Sequence, residues 1–257
     1  MVSDMMRTFS VTQTGASHTA VNRPCQDYSL SVFCPGYAIA IVADGHGGDA
    51  YFRSDRGSRF AAESARDVLA QFLSATKNMT ALPEGGWQRQ LASAIISEWQ
   101  QRISKDYQQE PFDTSTRWQK AYGTTLIAAV RTERSFMGMQ IGDGRCVAID
   151  AQGAATQPIP WDNRCFLNRT TSLCDADALN EFRFCLKKKK LPCSIFVGTD
   201  GVEDCFAGIQ GLYEFYQLLY SNLVSDFDAS VNELEHYLPS LTEQGSKDDI
   251  SIAGILL

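Results

Sequence analysis

The sequence predicts an α+β fold in which stacked, largely antiparallel sheets are covered by helices. Three observations carry this reading. Strand-like segments come in blocks rather than alternating one by one with helices. Within a block they are joined by short turns of glycine and charged residues, as hairpins require. Two pairs of amphipathic helical stretches follow the blocks, which places helices over antiparallel sheets instead of between parallel strands. The chain has 257 residues, 44% of them hydrophobic, enough for one large core. Residues 1–257 read as a single domain, with no internal repeat, low-complexity tract or Pro-rich linker.

In chain order, RTFSVTQT, DYSLSVF and YAIAIVA read as three early strands with apolar alternation. A helical region runs from about Asp49 to Ser74, where Phe52, Phe60, Ala61, Val68, Leu69 and Phe72 recur at helical spacing and are expected to face the core. TKNMTALPEGG is a breaker-rich loop. A second helix carries Trp87, Leu91, Ile95 and Trp99 at four-residue intervals. GTTLIAAVR, SFMGMQIG and RCVAID form a second strand block. Ala151 to Asp177 is irregular, EFRFCL and CSIFVGTD resume the strands, and helices are expected at Tyr213–Leu223 and Asp228–Tyr237. DDISIAGILL reads as a last buried strand.

Composition excludes several functions. The net charge of −7 disfavours phosphate-backbone binding, so nucleic acid is not an expected partner. Lys187 to Lys190 is the single basic run and reads as a solvated turn between strands. No apolar stretch spans a bilayer and the first residues lack a secretory leader's pattern, so a cytoplasmic location without membrane contact is expected. The eight cysteines contain no Cys-x-x-Cys pair and read as reduced thiols rather than zinc ligands.

The strands end in acids. YAIAIVA runs into Asp44-Gly45, SFMGMQI into Gly142-Asp143-Gly144, and CSIFVGT into Asp200-Gly201, while Asp27 opens one strand and Asp248-Asp249 another. A single Asp-Gly is ordinary turn chemistry. Five such places in one chain raise the prospect that the carboxylates converge, where they would repel one another unless cations sit among them. Oxygen-only ligands select Mg²⁺ or Mn²⁺ over zinc. His46, beside Asp44-Gly45, could ligate or transfer a proton. His236 falls in a helical stretch and reads as a surface residue; His18 falls in a loop with no partner the sequence identifies. A rival reading takes GHGGDA as a dinucleotide-binding fingerprint and the protein as an oxidoreductase. Asp44 directly before the first glycine, and the absence of a second acid-ended strand about twenty residues on, weigh against it.

VADGHGG, GTTL, IGDGR, VGTDGVED and KDDISI, preceded by GASHTAVNRPCQDY, resemble in order the motifs of the metal-dependent protein phosphatases, the protein phosphatase 2C family, in its bacterial form. The resemblance covers about Gly15 to Leu257. It implies a four-layer α-β-β-α sandwich of two mostly antiparallel sheets flanked by helices. It implies a centre of two Mn²⁺ or Mg²⁺ ions with a third in bacterial members, acting on phosphoserine and phosphothreonine in protein substrates in signalling. By motif position Asp44 bridges the ions, the Gly45 carbonyl ligates one, Asp200 and Asp248 ligate the other, Asp27 acts through water, Asp143 helps hold the third ion, and a protonated His46 serves the leaving group. A water shared by the two ions would attack phosphorus in line.

The sequence departs from the pattern at four places. Asn22 stands where many members carry a phosphate-binding Arg, the nearest Arg being Arg23. Gln26 replaces Glu, Asp249 replaces Asn and so adds a charge, and PIPWDNRC represents its motif poorly. Asn22 and Gln26 support an alternative function on the same fold, a catalytically weak phosphoprotein-binding module. A monomer is the expected state.

Overall fold

The structure is a computed structural model that describes residues 6–76, 79–82, 85–115, 117–165 and 169–257. Its strands are β1 (Arg7–Gln13), β2 (Asp27–Cys34), β3 (Tyr37–Asp44), β4 (Leu126–Thr132), β5 (Ser135–Ile141), β6 (Arg145–Ile149), β7 (Ala155–Thr156), β8 (Arg183–Lys187), β9 (Ser194–Gly198) and β10 (Ile250–Leu256). They form two five-stranded sheets, ordered β1-β10-β9-β6-β7 and β2-β3-β4-β5-β8. Every strand pairing is antiparallel. Its helices are α1 (Ala16–Ala20), α2 (Ser54–Ala75), α3 (Trp87–Gln109), α4 (Ala178–Glu181), α5 (Asp200–Glu203), α6 (Ile209–Ser225) and α7 (Phe227–Gln244).

Three buried clusters correspond to three interfaces between four layers. Period-2 alternation in β3 sends Ile39, Ile41 and Ala43 toward α2 and α3, and Ala38, Ala40 and Val42 toward the other sheet. In β10, Ala253 and Ile255 enter the same inter-sheet layer, whereas Ile250, Ile252 and Leu256 pack under α6 and α7. Alanines dominate the seam between the sheets on β3 and recur at Ala129 and Ala253. Both faces of these strands are therefore covered, which explains their near-continuous apolar sequences.

Sequence and structure differ at several boundaries. The stripe Trp87, Leu91, Ile95 and Trp99 is buried as expected. Phe52 is not: it lies before α2, is 53% exposed and meets Phe112 edge to face. The α-helix starts only at Ser54, one turn later than the spacing implies, because the glycine-rich turn still controls the backbone at Phe52. The last two helices are longer than their apolar stripes, α7 continuing through Pro239 to Gln244. The final strand starts at Ile250 rather than at the acids. His18 lies in α1 rather than a loop. The irregular 151–177 segment contains β7, and part of it, like part of the loop 76–86, lies outside the described residues. All eight cysteines are free. The lysine run ends β8 and turns toward β9, with Lys188 to Lys190 exposed.

Candidate metal centre

The β2–β3 hairpin makes the first half of the centre. Its register places Asp27 directly opposite Asp44, so the first acid of one strand faces the last acid of the next. Asp44 is held by its backbone: Thr125 Oγ1 accepts from its N–H at 3.1 Å, and its carbonyl accepts from Thr124 Oγ1 and Thr125 N at 2.8 Å each. Gly45 follows in a crowded position. A Cβ there would lie 2.5 Å from the Gln26 carbonyl and 2.6 Å from that of Ser54, so no side chain fits without displacing backbone. The His46 N–H then donates to the Gly123 carbonyl at 3.0 Å, and its ring packs edge-on to Tyr51.

The second half comes from the turn that crosses between the sheets and from a strand end of the other sheet. Asp143 sits at the tip of the β5–β6 turn between Gly142 and Gly144, whose φ angles of 93° and 77° belong to the left-handed region that glycine adopts freely. Gln140 Nε2 donates to the Gly142, Asp143 and Gly144 carbonyls and fixes that turn. Asp200 opens α5 at the end of β9. Thr199, the residue before it, donates from Oγ1 to Asp27 Oδ2 at 2.7 Å and joins the two halves.

Carboxylate oxygens of Asp44, Asp143 and Asp200 lie within 4.8 Å of one another. With Gln26, Gly45, His46, Asp248 and Asp249 they line one cleft of about 700 Å³. Burial, then the neighbouring charges of Asp200, Asp27 and Asp143, pushes the Asp44 carboxyl well above the usual range. Burial also raises Asp27, against the Thr199 hydrogen bond that favours its ionised form. Asp200 is raised to about 7 by burial and by Asp143 and Asp248, and Asp143 is raised by burial. Clustered carboxylates that resist ionisation are what divalent cations relieve. The donor set is oxygen throughout, which fits Mn²⁺ or Mg²⁺.

The remaining expectations fare differently. Asp248 lines the cleft, but its carboxylate groups with His18 and Asp249 rather than with the other three acids. Asp249 adds no free charge to the centre. Its Oδ1 accepts from Gly15 N at 2.6 Å, and its Oδ2 from Gln26 N at 2.6 Å with His18 Nδ1 at 2.9 Å. It is a buried clasp that fixes the loop before β2. Gln26 turns its amide to Ser54 Oγ and the His46 carbonyl. Burial lowers His46 to about 4, partly offset by Asp175, so the imidazole is neutral at rest rather than protonated. Asn22 and Arg23 are exposed and do not line the cleft.

Sequence reasoning missed His18, Thr199, Asp175 and two cleft-lining cations, Arg169 and Lys247. Asp175 belongs to a loop fastened by Ser172, whose N–H donates to it at 2.8 Å and whose Oγ accepts from Thr124 N at 3.2 Å. Only the adjacency of Lys247 to the Asp248-Asp249 motif could have signalled one of these residues in advance.

A sequence model of the family described as protein phosphatase 2C matches residues 14–246. No curated protein matches significantly. Among solved structures, the catalytic domain of the serine/threonine protein phosphatase PstP in complex with two manganese ions is similar at a TM-score of 0.59 and 17% identity, with 97% of each chain covered. PppA of Pseudomonas aeruginosa, described as a regulatory component of its T6SS, is similar at 0.61 and 18%, covering 98% of this chain and 97% of the other. The serine/threonine phosphatase of S. agalactiae is similar at 0.61 and 16%, covering 98% and 99%.

Proposed function

The chain belongs to the protein phosphatase 2C family and is a metal-dependent serine/threonine protein phosphatase; from that premise we propose how its own residues divide the work. Asp44, Asp143 and Asp200 hold the divalent ions, with Asp27, the Gly45 carbonyl and Asp248 completing the set. The carrying observation is the convergence of three carboxylates from separate chain segments within 4.8 Å, each held above its ordinary pKa by burial, with the neighbouring acids adding to the shift at Asp44 and Asp200. When bound, two such ions activate water and offset charge on a phosphoryl group.

The chain's part is placement. The β2–β3 register sets Asp27 against Asp44, and the Thr199 hydroxyl orients Asp27. The clasp at Asp249 fixes the backbone at Gly15 and Gln26 and so the height of the β2 entry. His46 stands on the cleft wall and is assigned the leaving oxygen of the substrate serine or threonine; neutral at rest, it needs the charge of a bound phosphate to take up its proton. Arg169 and Lys247 line the same cleft and are available to a phosphate dianion where Asn22 and Arg23 are not. The protein is assigned to signalling in the cytoplasm, as a monomer with phosphoprotein substrates.

The test is hydrolysis of p-nitrophenyl phosphate and of phosphoserine and phosphothreonine peptides. Turnover is expected with Mn²⁺ or Mg²⁺, none with chelator, and none for Asp44→Asn. Turnover that persists in chelator would overturn the metal assignment. Phosphopeptide binding without phosphate release in Mn²⁺ would assign the chain instead as a phosphoprotein-binding module.

A further inference from the structure

Between Leu191 and Ser246 the chain contains nine acids and no Lys or Arg. Six of those acids fall on α6, α7 or the Asp226 between them: Glu214, Asp226, Asp228, Glu233, Glu235 and Glu243. This hairpin forms the outer helical layer over the β1-β10-β9-β6-β7 sheet. Its inner stripe, with Leu212, Tyr216, Leu219 and Leu223 on α6, is buried against that sheet.

A groove opens between the two helices, with buried Leu219 and Leu234 in its floor. Phe215, Leu218, Leu219 and Asn222 are spaced three and four apart along α6, and Ser230, Glu233, Leu234 and Tyr237 likewise along α7. Together they line a groove of about 400 Å³. Leu218 is 62% exposed and Tyr237 48%, at the groove's two walls. Exposed apolar walls standing over a buried apolar floor mark a binding surface.

Charge decides the occupant. A second copy of this face would bring its acids against those of the first, with no cation among the described residues of the two helices to relieve them. An anionic lipid surface would meet the same repulsion. A helix laid in a groove by its apolar stripe, with Lys or Arg along its flanks, satisfies both the apolar walls and the acidity of the hairpin, of which Glu233 lies in the groove itself. We propose that the outward groove between α6 and α7 docks a cationic amphipathic helix of a partner protein, on the layer of the fold that carries no catalytic residue. The inference does not depend on the roles assigned to the acids of the cleft.

The experiment uses the whole protein with Mn²⁺ and a fluorescent synthetic Leu/Lys amphipathic helical peptide as probe, beside the same peptide with every Lys replaced by Glu. Anisotropy at near-physiological salt is expected to give micromolar binding of the Lys peptide and none of the Glu peptide. Leu218→Asp and Tyr237→Asp are each expected to weaken binding about tenfold, and Glu233→Gln about threefold. The aspartate variants separate docking from general attraction, because they remove apolar surface while making the protein more acidic. Unchanged or tighter binding by Leu218→Asp would overturn the proposal. A photo-crosslinking version of the peptide is expected to label α6 and α7; labelling confined to the acidic cleft would also overturn it. Sedimentation that shows self-association abolished by Leu218→Asp would assign the face to a second copy and refute the inference. These variants are exposed on the outer layer, and unchanged Mn²⁺-dependent turnover confirms that they fold.

Discussion

Replacing Asp200 by Asn is expected to stabilise the metal-free protein. The carboxylate of Asp200 lies within 4.8 Å of those of Asp44 and Asp143. Two unit charges at that separation repel by about 3.5 kcal/mol at an effective dielectric constant near 20. Partial protonation and proton sharing reduce this, so a net gain of about 2–3 kcal/mol is expected above neutrality. For a domain of this size that is a rise in Tm of about 5–10 °C. The pH dependence has a fixed sign. Asp200 is raised in the folded state to about 7, from 3.8, so the folded state binds more protons between those values. Its contribution to stability is greatest below the unfolded pKa and is lost as pH rises through the folded one. Wild type in chelator should lose Tm steadily from about pH 5 to pH 8, and Asp200→Asn should lose less. Adding Mn²⁺ should reverse the order, since a ligand that binds only the native state stabilises it by about 2.7 kcal/mol at a hundredfold excess over Kd. The assay is thermal unfolding in chelator and in Mn²⁺ across that pH range. A variant no more stable than wild type in chelator at about pH 8, with an unchanged pH slope, would refute the claim that these carboxylates repel one another.

Other expectations concern the frame of the site. Asp249→Ala leaves the N–H groups of Gly15 and Gln26 without their acceptor; a loss of about 3 kcal/mol in urea unfolding is expected, with weaker Mn²⁺ affinity by calorimetry. Thr199→Val removes the hydrogen bond to Asp27 and should weaken Mn²⁺ binding about tenfold, with stability reduced by about 1 kcal/mol. Gly45→Ala places a Cβ against the Gln26 and Ser54 carbonyls and is expected to abolish turnover in the phosphopeptide assay while the far-UV circular dichroism stays unchanged. Trp99→Ala, at a fully buried position where the indole N–H donates to the Gly57 carbonyl at 3.1 Å, should cost about 3–5 kcal/mol in denaturant unfolding.

The acids that converge were legible because each interrupts an apolar strand, and a buried strand has no packing reason to end in Asp-Gly. The layering was legible for a related cause: hairpin turns between strand blocks leave an antiparallel sheet as the economical arrangement. What the sequence concealed depends on loops crossing from one half of the fold to the other. The link from Thr199 to Asp27 joins residues 172 positions apart. The clasp of Asp249 on Gly15 spans 234. In sequence Asp249 reads as an added charge at the centre, and only tertiary structure reveals that its oxygens are already engaged. Arg169, Asp175 and His18 carry no periodicity that could have announced them. Phe52 failed for the opposite reason: helical spacing alone does not say where the glycine turn releases the backbone.

The bare methyl groups of Ala38, Ala40, Ala129 and Ala253 along the inter-sheet seam have a bearing on how this site can change. Asp27 and Asp44 ride on one sheet and Asp200 follows a strand of the other, while Asp143 sits on the turn that carries the chain from the first sheet to the second. The seam therefore works as a spacer gauge for the reaction centre. A single bulkier residue there would wedge the sheets apart and retune ion affinity from deep inside the protein, leaving every liganding side chain as it was.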